Sequence, residues 1–251
     1  MCSDASDGLP SVMVTAWRLG QATRRGPKPA LSVEGIVAAA VEIADREGLE
    51  AVSMARVAES LGFTTMSLYR HVAGKEDLLV LMVDAVVGEP PAVGSGHGWR
   101  EALEGWARAL RERYHAHLWS VRIPITGPPA VPYQLAWMEQ GLAALAPTPL
   151  PGYEKLDVML AVSNLVRSSA RMTDEMGSPY RESGDVEAIP DFGQILAAVI
   201  DPGRFPELSA LREEIDFAEE DPDEDYGFGF ELRCILDGVE RLIAEAEERP
   251  G

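Results

Sequence analysis

At 251 residues, the chain holds either one large domain or a small domain joined to a medium one. Its 46% hydrophobic and 25% charged residues are ordinary for a soluble globular protein, and no apolar run approaches the ~18 residues that span a bilayer. The net charge of −19 argues at first sight against a polyanionic partner, but it is unevenly spread: residues 24–75 carry seven basic and six acidic side chains, residues 90–251 carry 14 and 29.

Residues 1–23 read as a poorly ordered extension. Within it "LPSVMVTAWRLG" is apolar but short and preceded by acids, the wrong pattern for a signal peptide. Cys2 in that loose terminus and Cys234 argue against a structural disulfide and for a reducing, cytoplasmic setting. From here on the apolar spacing is helical and period-two strands are absent, so the predicted class is all-α. Ser32 is a suitable N-cap for a helix ending at Gly48, with Ile36, Val37, Ala40, Val41 and Ala44 on its apolar face. A second helix starts at Ser53 and stops at Gly62. A third is capped by Thr64 or Thr65 and runs to Gly74, with Leu68 and Val72 buried, and "KEDLLVLMVDAVV" opens a fourth.

"GEPPAVGSGHG" (88–98) is a Gly/Pro-rich break between a domain at 24–87 and another at 88–251. Beyond it a long amphipathic helix carries Trp99, Leu103, Trp106, Leu110 and Tyr114 at spacings of three and four. Further helices are predicted at Tyr133–Leu145, Tyr153–Met176, Phe192–Ile200 and Leu208–Glu219, with a last one over Gly227–Glu247. The acid-rich stretch before that last helix reads as a solvated connection.

The three short helices at the front, with Ala58 small enough for a helix crossing and Gly62 in the turn, form a helix-turn-helix whose second helix enters a major groove. With Leu68 and Val72 inward, the opposite face presents Thr65, Met66, Tyr69 and Arg70, flanked by Ser67 and His71, next to the cap candidate Thr64. Hydroxyls, Arg and His donate to base edges or phosphates, and Met packs on a thymine methyl. Lys75 begins the next helix, where free N–H groups already favour a phosphate. Arg56, close to Ser53 at the start of the supporting helix, is one more candidate phosphate contact. "RRGPKPALS", with Arg25 and Lys28, is a basic arm stiffened by two prolines and suited to the DNA backbone or a minor groove.

The stretch "GIVAAAVEIADREGLEAVSMARVAESLGFTTMSLYRHVAGKEDLLVLMVD" (35–84) resembles the N-terminal DNA-binding domain of the TetR family of bacterial transcriptional repressors. "FGFELRCILDGVERL" and "ITGPPAVPYQLAWMEQGLAAL" resemble helices of its C-terminal domain. The resemblance implies an all-helical homodimer. Each subunit pairs a small DNA-binding domain with a larger domain that binds a small-molecule effector and dimerises through a four-helix bundle. It places Thr65, Met66, Ser67, Tyr69, Arg70 and His71 on the recognition helix, Ser53 to Arg56 at the start of the supporting helix, and Lys75 on a phosphate.

In the larger domain Trp106, Leu110, Trp137, Met138 and Met159 are candidates to line an apolar effector pocket, with Asn164 and Arg167 as polar anchors. On a helix His115 and His117 point about 200° apart and do not converge on a metal. "VGSGHG" lacks a preceding strand, and the acid run 213–225 lacks the ligand spacing of a calcium loop. No nucleophile–base–orienter set suggests catalysis. The expectation is therefore a regulator with no catalytic residues, cofactor or metal. The competing classes are a DNA-binding regulator without an effector, and an enzyme or scaffold with an inert front end.

Overall fold

The computed structural model describes residues 9–21, 31–91, 98–125, 127, 130–177, 198–215 and 226–248. Among these the chain is helical and contains no strand. In order the helices are α1 (Ser11–Gln21), α2 (Val33–Glu47), α3 (Met54–Leu61), α4 (Thr65–Tyr69), α5 (Lys75–Val87), α6 (Trp99–Ala116), α7 (Pro132–Leu145), α8 (Gly152–Gly177), α9 (Pro206–Glu214) and α10 (Tyr226–Glu247). Short 3-10 turns occur at Leu49–Ala51 and Leu118–Arg122.

Local chemistry sets the front helices. The Ser32 hydroxyl accepts from the Gly35 N–H at 3.1 Å, and Ser53 does the same for Arg56. Gly48 (φ 86°) and Gly62 (φ 72°) terminate α2 and α3 in the left-handed half of backbone space, where a side chain is strained. Ile36, Val37, Ala40, Ile43 and Ala44 of α2 are buried. Ile43 takes the inward place expected for Val41, which is only half-buried.

Two predicted boundaries move. The helix expected to reach Gly74 ends at Tyr69, because the N–H groups of His71 and Val72 both turn back to the Leu68 carbonyl and carry Val72 into the core. The long amphipathic helix after the Gly/Pro-rich break, read over "WREALEGWARALRERYHAHLW" (99–119), stops at Ala116, and the Leu118–Arg122 turn follows. Of the helix predicted over Leu208–Glu219, the part up to Glu214 is seen in α9, Ile215 is extended, and 216–219 lie outside the described residues. That predicted over Phe192–Ile200 lies outside the described residues except at 198–200.

Residues 11–21, expected to be loose, form α1 instead. Ala16 is buried, the Ser11 hydroxyl donates to Asp77 Oδ2 at 2.7 Å, and Trp17 Nε1 donates to the Ala130 carbonyl at 2.9 Å. The sequence signal was too short to separate an amphipathic helix from an apolar tail, since helices of this length are marginal until they dock.

The described residues up to Asp174 and those from Leu232 onward form one compact unit, and those between form another. In the smaller unit Asp201 organises the turn before α9, accepting from the Gly203 N–H at 2.9 Å. In the larger unit the packing continues across the boundary expected at 87/88. One continuous core joins the buried residues of α2–α5 to Ala16 of α1, to Trp119 and Ile123 after α6, and to Val131 before α7. Trp106 Nε1 donates to the Trp137 carbonyl, Trp137 Nε1 donates to the Gly88 carbonyl, and the two rings meet edge-on at 5.9 Å. Arg100 of α6 pairs with Asp237 and Glu240 of α10.

Asp84, buried on α5, supplies the cap that α7 lacks: its Oδ1 accepts from the backbone N–H groups of Tyr133 and Gln134 at 3.0 and 3.1 Å. Burial pushes its carboxyl from 3.8 up to about 6, and the two N–H donors pull partly back. A raised carboxyl favours the folded state most below pH 4. That advantage is lost as pH rises between about 4 and about 6. Asp84→Asn keeps an acceptor without the charge. Its stability relative to wild type should therefore rise across that interval by an amount on the order of 2–3 kcal/mol, read from denaturant midpoints against pH. A second substitution tests the α6–α7–α8 contact. A Cβ at Gly141 would stand 2.8 Å from Met159 Cγ and 3.3 Å from Trp106 Cε2. Gly141→Ala should cost about 1–3 kcal/mol, seen as a lower melting temperature.

Candidate nucleic-acid interface

α3 and α4 meet through a three-residue link, Gly62 to Thr64: Phe63 N–H returns to the Ala58 carbonyl at 2.9 Å, and Ala58 is buried where the two helices approach. The Thr64 hydroxyl caps α4, accepting from the Ser67 N–H at 3.3 Å and bonding the Ser67 hydroxyl at 2.9 Å. Leu68, fully buried, fixes the inward side. On the outward side Met66 is 70% and Tyr69 47% exposed. Arg70 is exposed beside them, with Thr65, Ser67 and His71 half-buried. A large apolar side chain left this far in water has no packing role within the subunit, and in a major groove it fits a thymine methyl. Lys75 is exposed at the first position of α5, behind Gly74, which caps without a side chain.

Two of the candidate contacts already have partners within the subunit. The Ser53 hydroxyl is engaged in capping α3. The Arg56 guanidinium bonds Glu47 at 2.9 and 3.3 Å and reaches Glu59 at 3.4 Å. That pairing holds the Glu47 carboxyl below its usual range and the Arg56 guanidinium above its own. Glu47 lies nine residues before Arg56, across the turn between α2 and α3, so no helical spacing in the sequence announced it. Arg25 and Lys28 fall outside the described residues.

The candidates of the larger domain divide. Trp106, Leu110, Trp137 and Met159 are buried, and Trp106 and Met159 converge on Gly141. Met138 is half-buried and Asn164 is exposed. Arg167 donates to the carbonyls of Val121 and Ile123 at 2.9 and 2.7 Å. Burial pushes the nearby Tyr114 phenol up, and Arg167 pulls it partly back. Two ties between the front and the body were missed by sequence reasoning. Asp45 of α2 accepts from Trp119 Nε1 at 2.6 Å and bonds His117 Nδ1 at 2.8 Å. Arg122 pairs with Asp174 of α8 at 2.6 and 2.9 Å and reaches Glu50 at 3.5 Å, which raises its own guanidinium. Among the described residues no group of three or more His, Cys, Asp or Glu converges as metal ligands, and no helix is long and apolar enough to cross a membrane.

A capped, outward-facing second helix bearing an exposed Met, Tyr and Arg, with a lysine at the next helix start, defines a helix-turn-helix DNA-binding protein. Residues 36–82 match the bacterial regulatory proteins of the tetR family, and residues 90–243 match the tetracyclin repressor-like C-terminal domain. The chain belongs to the TetR family of transcriptional regulators. It is 37% identical over 251 residues to the HTH-type transcriptional repressor DrrR1 of Streptomyces coeruleorubidus, covering 97% of this chain and 90% of that one. It also resembles the Streptomyces coelicolor TetR family protein ActR. In complex with actinorhodin, ActR superposes with a TM-score of 0.71 at 29% identity, covering 88% of this chain and 100% of that one. In complex with (S)-DNPA the values are 0.69 and 27%, covering 85% and 98%.

Lys75→Ala should weaken binding to every duplex and flatten the salt dependence by about one unit of slope. Arg56→Ala should change that slope less, because Arg56 is already paired with Glu47. Affinities measured over a salt series compare the two.

Proposed function

We propose that the protein is a ligand-responsive cytoplasmic repressor, not an enzyme, that binds an inverted-repeat operator as a homodimer and is released by a small molecule. The observation that carries the DNA-reading half is the outward face of α4, with Met66, Tyr69 and Arg70 in water on a helix anchored by Thr64 and Leu68. In this reading residues 24–87 read DNA, while 88–251 bind the effector and dimerise. Two recognition helices then enter successive major grooves about 34–36 Å apart. Dimerisation is supported by apolar side chains left exposed on α8 and α10: Tyr153 at 66%, Leu160 at 42%, Met172 at 62% and Leu242 at 38%.

The effector half is supported by ActR, a relative whose structures hold actinorhodin and (S)-DNPA. The buried aromatic and Met set at Trp106, Trp137 and Met159 suits an apolar ligand. The tight approach of Met159 and Trp106 to Gly141 favours the second reading, a regulator with no effector at that place. The body's surplus of acids would repel DNA and leave the tip of the molecule as the attractive part.

Selection from random duplexes tests the first half: enrichment of an inverted repeat is expected, and no enrichment would remove the DNA reading. Adding planar aromatic compounds to the selected complex tests the second. One that raises the melting temperature and also releases the duplex is expected, by a coupling of ~1–3 kcal/mol.

A further inference from the structure

We propose that α1 is an intramolecular brace. It holds α5 against the start of α7, fixes how the recognition helix is presented, and so sets the affinity for DNA. This rests on the DNA-reading function proposed above.

α1 touches both halves of the machinery. Near its start the Ser11 hydroxyl donates to Asp77 in the first turn of α5, two residues beyond Lys75. Ala16, 2% exposed, enters the core shared with α2–α5, and Val12 packs on the same core. One residue further on, Trp17 Nε1 reaches across to the Ala130 carbonyl, beside Val131, which belongs to that core as well. α1 therefore runs alongside α5, bonded to the DNA-facing end of α5 and to the approach of α7. Any swing of α5 relative to α7 must break one of these contacts or strip Ala16 from the core.

Undocking α1 therefore loosens α5, and DNA binding weakens.

The test uses the full chain and the duplex selected by the wild-type protein. Ala16→Glu places a carboxylate where it cannot stay buried unpaired, and Trp17→Phe keeps the ring while removing its donor. Hydrogen exchange over residues 11–21 reports docking, and duplex affinity over a salt series, well below each variant's melting temperature, reports function. The expected result is fast exchange and affinity lowered about fivefold or more in Ala16→Glu. Trp17→Phe should be intermediate, and the salt slope unchanged in both because no phosphate contact is removed. Fast exchange with wild-type affinity overturns the brace, and so does protected α1 in Ala16→Glu. If Ala16→Glu does not fold, unchanged affinity in Trp17→Phe overturns it. A wild-type protein that selects no duplex sinks the DNA reading itself, a separate failure.

Discussion

A buried carboxylate ties α5 to α7 within the larger unit. Asp84 leaves α5 and caps α7, which starts at Pro132 with no capping side chain of its own. Burial opposes the charge and two backbone donors favour it, so the carboxyl is raised to about 6 while keeping both partners. Because a helix end needs its N–H groups satisfied, α7 cannot move along α5 without losing this contact. The position of α7 in turn sets Trp137, its bond to Gly88, and the packing of Trp106 and Met159 on Gly141.

Around that contact the front domain and the body share one core. Trp119 and Ile123 enter from behind α6, and Val131 enters from ahead of α7. Polar ties follow the same route: Asp45 to His117 and Trp119, and Arg122 between Glu50 and Asp174. Arg167 holds the carbonyls on either side of Arg122. Segment 117–123 is thus held on one side by the DNA-binding helices and on the other by α8. A packed, hydrogen-bonded path therefore runs from α8 through this segment to α2.

The charge pattern becomes legible with the pairs assigned. Arg56 and Arg46 lean on Glu47, so part of the front's positive charge is neutralised locally. Arg70 and Lys75 stay exposed at the edge of the recognition surface. A chain of net charge −19 presents a polyanion with an attractive tip through this arrangement and not through its total.

Much of the front was legible in the residues themselves. Ser32, Ser53 and Thr64 as caps, Gly48 and Gly62 as stops, and Leu68 and Val72 as the inward side are decisions of sterics and hydrogen bonding within a few residues. The outward face of α4 followed from them, since burying one side of a short helix exposes the other. What the sequence could not decide was anything joining residues far apart along the chain. Glu47 paired with Arg56 across a turn, Asp84 capped a helix about fifty residues later, and α1 became a helix by docking on α5. Val41 gave way to Ile43 because neighbouring helices select which side of α2 is covered. Local propensity is written in adjacent residues. These contacts depend on which surfaces meet, and only the tertiary structure brings those surfaces together.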